Sequence, residues 1–285
     1  MTQTATAPVL FDRAILALRQ RRALRAPETF LLERVAEDLK DRLAAVNRSF
    51  VDAADIWTPG AGLKPHLAGQ VGQLAHLAAP EAAAEELRLA PQSLDLALSA
   101  LAFQFVNDLP GLLAQVRRAL RPDGLLLAAM IGGDTLTELR QSFAAAEAEC
   151  EGGVSPRVAP FADLRDVGGL LQRAGFALPV ADVDRIVVRY GNAFALMQDL
   201  RRMGATNGLV ERRRMPTRRA TLLRMAEIYQ QRFADPDGRI RATFDIIWMS
   251  GWAPHESQQK PLKPGSAKAS LEAAVKRGPS AGSDE

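Results

Sequence analysis

The sequence predicts an α/β protein with a parallel sheet and helices on both faces. Three observations predict it. Residues 93–103 (SLDLALSALAF) and 124–132 (GLLLAAMIG) are near-continuous apolar runs, as strands covered on both sides require. Other stretches repeat apolar residues every three or four positions, the period of a helix with one buried face. The two kinds alternate along the chain, and strand–helix–strand crossovers build parallel sheets.

Each element has its own reason. Residues 28–46 read as a helix, with Leu31, Leu32, Val35, Leu39 and Leu43 on one face. Residues 49–56 read as a first strand. Residues 70–90 are Ala-rich, with weak strand signals at QVGQLAHLA and EELRLA. The apolar run from 93 is the next strand. LPGLLAQVRRALRPDG (109–124) is a helix stopped by Pro122 and Gly124, and GLLLAAMIG follows as a strand. DTLTELRQSFAAAEAE (134–149) opens a helix with Asp134 as N-cap, or with Thr135 and Glu138 as a capping box. Residues 163–176 form a further helix, 180–190 a strand and 244–252 the last strand. Two helices between them, 192–204 and 217–233, read as an insertion capping one edge of the sheet, with Leu222, Ala226, Tyr229 and Phe233 on one face. The expected organisation is an N-terminal helical segment (1–27), a main domain (28–252) with an insertion at 191–240, and a Pro-, Gly-, Ser- and Lys-rich tail (253–285) that reads as mobile.

Composition bounds the function. With 47% hydrophobic and 24% charged residues, the chain reads as an ordinary globular protein, and it has no apolar run long enough to span a membrane. Residues 9–26 are Arg-rich, which suits a transit peptide, but Asp12 and the apolar periodicity suit a surface helix better. One cysteine, Cys150, excludes an internal disulfide and a Cys-clustered zinc site. A reducing compartment fits: the bacterial cytoplasm, at or near the membrane, or alternatively the mitochondrial matrix. His66, His76 and His255 are dispersed, so no metal site is expected. The net charge of +3 is too mild to argue for nucleic acid.

Ligands of open α/β sheets bind outside the carboxyl ends of the strands. Three stretches should meet there. The first is 57–62, WTPGAG, where Gly60 and Gly62 let a backbone approach a ligand while Trp57 and Pro59 crowd it. The second follows Ala100 and Leu101, where Phe103 and Phe105 either flank a flat ring or belong to the core. The third runs from Gly132 and Gly133 through Asp134, Glu138 and Arg140, with Tyr190 at the end of a nearby strand. ERRRMPTRR (211–219) offers Arg212, Arg213, Arg214, Arg218 and Arg219 to an acidic partner or an anionic membrane face; a solvated loop is the plainer reading. No P-loop, nucleophile elbow or catalytic triad is present, so no catalytic residue is assigned.

The order of elements resembles a class I S-adenosylmethionine-dependent methyltransferase. LFDRAI (10–15), FQFVNDLPGLLAQVRRALRPDG (103–124), GGDTLTELR (132–140), EGGVSPRVAPF (151–161), LLQRAGF (170–176), LMQDLRRMGATN (196–207) and GWAPHESQ (251–258) resemble, more closely, the methyltransferase-like assembly-factor family of respiratory complex I. A second similarity is to the malonyl-carrier-protein O-methyltransferases of biotin synthesis. The resemblance implies a doubly wound, Rossmann-like, mostly parallel seven-stranded sheet with a reversed last strand. It implies an S-adenosylmethionine cleft and a protein substrate, a complex I subunit modified by methylation or arginine hydroxylation. The family's cofactor loop, an acid followed by alternating glycines, maps onto Asp55, Gly60 and Gly62, with Trp57 and Pro59 at or near the earlier glycine positions. Ala100 and Leu101 fall on the cofactor side. The acid that should meet the adenine amine falls on Ala84, beside Glu85 and Glu86, and the acid that should hold the ribose is missing from QLAHLAAP. The substrate half matches while the cofactor half departs, so a cofactor-less assembly chaperone and the malonyl enzyme stand as alternatives.

Overall fold

The computed structural model describes residues 9–60, 62–80 and 85–259. Ala84 and most of the tail expected to be mobile, from residue 260 on, lie outside them. The chain divides after Pro254; of the second unit, residues 255–259 are described, a turn in which the His255 ring meets the Ser257 hydroxyl at 2.7 Å.

Strands β1 (Phe50–Ile56), β2 (Val71–Leu77), β3 (Leu94–Ala100), β4 (Leu120–Ile131), β5 (Ala177–Tyr190) and β6 (Ile240–Trp252) form one sheet in the order β2-β1-β3-β4-β6-β5. β1 to β4 run parallel, and β6 is antiparallel to both neighbours. The last strand is therefore reversed, and the strand order switches direction between β1 and β3, as a doubly wound sheet requires. Six strands form among the described residues rather than seven. The weak strand signal at 85–90 comes to nothing because those residues pair with no strand.

Helices α1 (Arg13–Ala23), α2 (Phe30–Ala44), α3 (Leu109–Ala119), α4 (Thr137–Glu151), α5 (Leu164–Arg173), α6 (Ala193–Arg202) and α7 (Arg219–Phe233) complete the fold. Alternate residues of each central strand feed opposite cores. Leu96, Leu98, Leu125 and Leu127 pack with α2, α4, α6 and α7. Ala97, Leu126 and Ala128 pack with α3 and α5. Burying each such leucine stabilises the fold by roughly 1.5–3 kcal/mol, so β3 and β4 hold the sheet together.

Three local expectations are corrected. The helix at 109 ends at Ala119, and β4 starts at Leu120 before Pro122 is reached. α4 has no side-chain cap: Leu136 occupies the cap position in left-handed conformation. Asp134 instead pairs with Arg185 at 2.7 Å, Thr135 accepts the Asp245 N–H, and Glu138 accepts the Thr243 hydroxyl. The inserted helix α7 packs on α4 and the sheet face through Thr221, Met225, Ile228 and Tyr229, not along an edge.

Candidate functional site

The turns that leave β1, β3 and β4 share an unusual backbone. Trp57, Leu101 and Leu136 all sit at positive φ (63°, 53° and 55°). This left-handed conformation costs a side-chain-bearing residue roughly 1–2 kcal/mol, and such strain gathers at functional sites. All three line one cleft of about 800 Å³ at the carboxyl end of the sheet. Trp57 keeps the backbone shape of a glycine loop although its ring is buried. The far wall is α1 with the loop after α6. Asp12 caps α1, the Phe11 backbone bridges to Leu209, and a Cβ on Gly208 would lie 2.3 Å from Leu16. The glycine lets the two segments close over the strand ends.

The three predicted stretches therefore meet, but not residue for residue. Gly60, Leu101, Arg212 and Arg213 line the cleft. Asp55 and Ala100 lie just behind its wall, fully buried. Ala100 donates its N–H to Thr58 Oγ1 at 2.9 Å, which ties the end of β3 to the turn after β1. Gly62 has φ +69°, and a Cβ there would sit 2.2 Å from Asp55 Oδ2 and 2.5 Å from His76 Nδ1. Glu85 is not among the lining residues: it accepts the N–H groups of Asn107 and Asp108 just before α3 and lies 3.8 Å from Arg13. Arg13 in turn covers the Trp57 ring.

On the substrate side, Ile131, Thr135, Leu136 and Leu139 face the cleft, while Gly132, Gly133, Asp134, Glu138 and Arg140 stand behind or beside it. Gly132 is there for packing: a Cβ would meet Ile247 Cγ1 at 2.5 Å. Arg140 reaches the Ala159 carbonyl. Tyr190 is in the core, its phenol pushed well above its usual value by burial and then by the Asp199 carboxylate. Phe103 is core, whereas Phe105 lines the cleft edge-on to Phe11.

Among the described residues seven arginines line the cleft (Arg19, Arg21, Arg157, Arg201, Arg202, Arg212 and Arg213) and one carboxylate, Glu28. Several are tied down from behind. Glu147, fully buried on α4, takes Arg157 Nε at 2.7 Å and the Ser155 N–H at 2.7 Å. Burial pushes this carboxyl up, but the Ser155 and Arg157 hydrogen bonds outweigh it and hold it below the usual range. Arg213 pairs with Glu151 at 3.1 Å and Arg212 with Asp12 at 3.0 Å. Arg218 lies 3.7 Å from Glu151. Of the five arginines offered for docking, only Arg214 and Arg219 have no ion pair among the described residues. Arg19 gives its guanidinium to the Asn207 carbonyl; burial first, and then Arg212, depress its pKa.

The chain is similar to known proteins over most of its length. It is 36% identical over 284 residues to the human mitochondrial arginine-hydroxylase NDUFAF5, covering 92% of this chain and 82% of that protein. The chain belongs to the NDUFAF5 family. The Dictyostelium discoideum member is 47% identical over 178 residues, 62% of this chain and 41% of that protein. A methyltransferase domain is matched over residues 38–128. The malonyl-[acyl-carrier protein] O-methyltransferase of Laribacter hongkongensis is 40% identical over 181 residues, 64% of this chain and 58% of that enzyme. The solved YcgJ protein from Bacillus subtilis superposes with a TM-score of 0.51 at 13% identity, over 76% of this chain and 98% of that one, and shares the fold. The NDUFAF5 family thus falls in the S-adenosylmethionine-dependent methyltransferase class, and S-adenosylmethionine is the cofactor of that class.

The residues of this NDUFAF5 family member fit one end of that cofactor. Gly60, with no atom within 4 Å of its missing Cβ, leaves backbone open to a ligand beside Thr58. Among the described residues the turn after β2 presents Ala78 and Ala79, so no carboxylate meets the ribose end there. One lost hydrogen bond between a carboxylate and a ribose diol costs about 1.5–3 kcal/mol. The sulfonium is also a cation, and the cleft's charge disfavours it. When bound, the cofactor supplies an electrophilic methyl group.

Sequence reading missed His76, Arg13 and Arg157. Nothing local marks them: His76 meets Asp55 only through the register of two strands, in which they are paired.

Proposed function

We propose that the protein is a respiratory complex I assembly factor that takes a segment of a complex I subunit into this cleft and modifies it. Two things support the reading: NDUFAF5 relatives that match it over four-fifths of their length, and the convergence of three strained strand-end turns on one basic cleft. Arginines that exceed carboxylates on its walls suit a segment carrying carboxylate side chains beside the modified residue. No helix among the described residues is long and apolar enough to cross a membrane, so contact with a membrane-bound assembly would run through the partner or the exposed Arg214 and Arg219.

The experiment is affinity purification of the full chain from cells building complex I, followed by mass spectrometry of the subunits carried with it. A co-purifying subunit that gains one oxygen atom or one methyl group only when the protein is present supports the reading. Normal subunit masses and normal complex I in a deletion strain would sink it.

A second reading, a chaperone that holds the subunit without modifying it, draws on the shortened cofactor wall. It gives the same co-purification without a mass change. The malonyl enzyme is less supported, since its relatives match only the shorter span.

A further inference from the structure

A buried acid, Asp55, meets the partly exposed imidazole of His76 at the cleft. Asp55 lies at the carboxyl end of β1 with no exposed surface, and His76 is its register partner on β2. Asp55 Oδ2 accepts the Leu63 N–H at 2.8 Å and stands 3.0 Å from His76 Nδ1. An oxygen that accepts makes Nδ1 the donor, which puts the lone pair on Nε2. Nε2 has no hydrogen-bond partner among the described residues, and the ring, about 30% exposed, lines the cleft beside Thr58 and Gly60. Gly62 completes the arrangement, since any larger residue would place its Cβ within 2.5 Å of both partners. A histidine that served only to fill space would need neither a fully buried carboxylate behind it nor a left-handed glycine beneath it.

We propose that His76 is the proton acceptor of the cleft, with Asp55 as its positioning residue, acting on an N–H or O–H group of a bound acidic segment. The substrate X–H gives its proton to Nε2, and its bonding pair stays on X as the nucleophile. The imidazolium keeps its Nδ1–H on Asp55 Oδ2 and returns the other proton to solvent through the cleft. Asp55 is thereby committed to His76, where the class uses a strand-end acid toward its cofactor. The proposal rests on the reading that the cleft takes a subunit segment.

Two measurements on the full chain test it. Long-range nitrogen–proton NMR of the imidazoles, with His76 assigned by its loss in His76→Gln, reads the tautomer in the absence of any partner. Nδ1–H is expected, and Nε2–H overturns the proposal. His76→Asn keeps an amide facing Asp55 but removes the proton acceptor. With its melting temperature retained, it should lower the yield of modified subunit about a hundredfold, the contribution of a general base; an undiminished yield overturns the proposal. Should that variant fail to fold, His76→Gln carries the same comparison. The tautomer needs no substrate, so failure of the pair is distinguishable from failure of the subunit reading.

Discussion

Along β2 no residue is buried, whereas along β6 all but three of thirteen are. The difference lies in what covers them. β3, β4 and β6 sit between two helical layers and feed both cores. Among the described residues no helix forms in the crossover from β1 to β2, residues 57–70, or between β2 and β3. Parallel strands are ordinarily covered by their crossover helices. Here the β2 flank lacks that cover, while the flank of β4 and β6 keeps it. One sheet can carry walls of unequal completeness because its central strands supply most of the buried area.

The comparison can be broken most forcefully by removing a large side chain from each flank. Trp248→Ala on β6, a buried ring stacked under Arg42, should cost about 4 kcal/mol, whereas Leu74→Ala on half-exposed β2 should cost about 1 kcal/mol or less. Chemical denaturation measures both, and equal costs would show that β2 is as well anchored as the rest. Next in size is Glu147→Gln. It takes the carboxylate from Arg157 at a buried site and should cost about 3 kcal/mol. Because the Glu147 carboxyl is held below its usual range in the fold, the stability it adds is present above that range and is lost on acidification through its folded-state pKa. Melting curves of the variant should therefore be less acid-sensitive than those of the native protein. The smallest effect sharpens the contrast from the other side. Ala78→Asp places an acceptor at the end of β2, on an exposed position. It should tighten S-adenosylmethionine about tenfold, by roughly 1.5 kcal/mol, in calorimetry. No change would mean that the ribose does not lie against this turn.

How far the site could be read in advance depended on the kind of contact. Gly60 and Leu101 were legible because strand ends in this fold face the ligand. Glu138 and Thr135 were misread as caps, since a helix-start pattern cannot announce that the neighbouring strand β6 will take those side chains. The arginines of 211–219 read as one patch, yet Arg212 and Arg213 turn inward to Asp12 and Glu151, acids 60 or more residues away.

By itself the sequence determined the alternation of strands and helices, the buried central strands and the meeting of three turns at one rim. Those follow from local periodicity, in which each residue's partners are water or the core. Only tertiary structure decided that β2 would be bare, that Trp57 would hold a glycine's backbone, and that His76 would face Asp55. Such outcomes depend on register between distant segments, where the hydrogen bond formed is set by which strands pair and not by any neighbour in the chain.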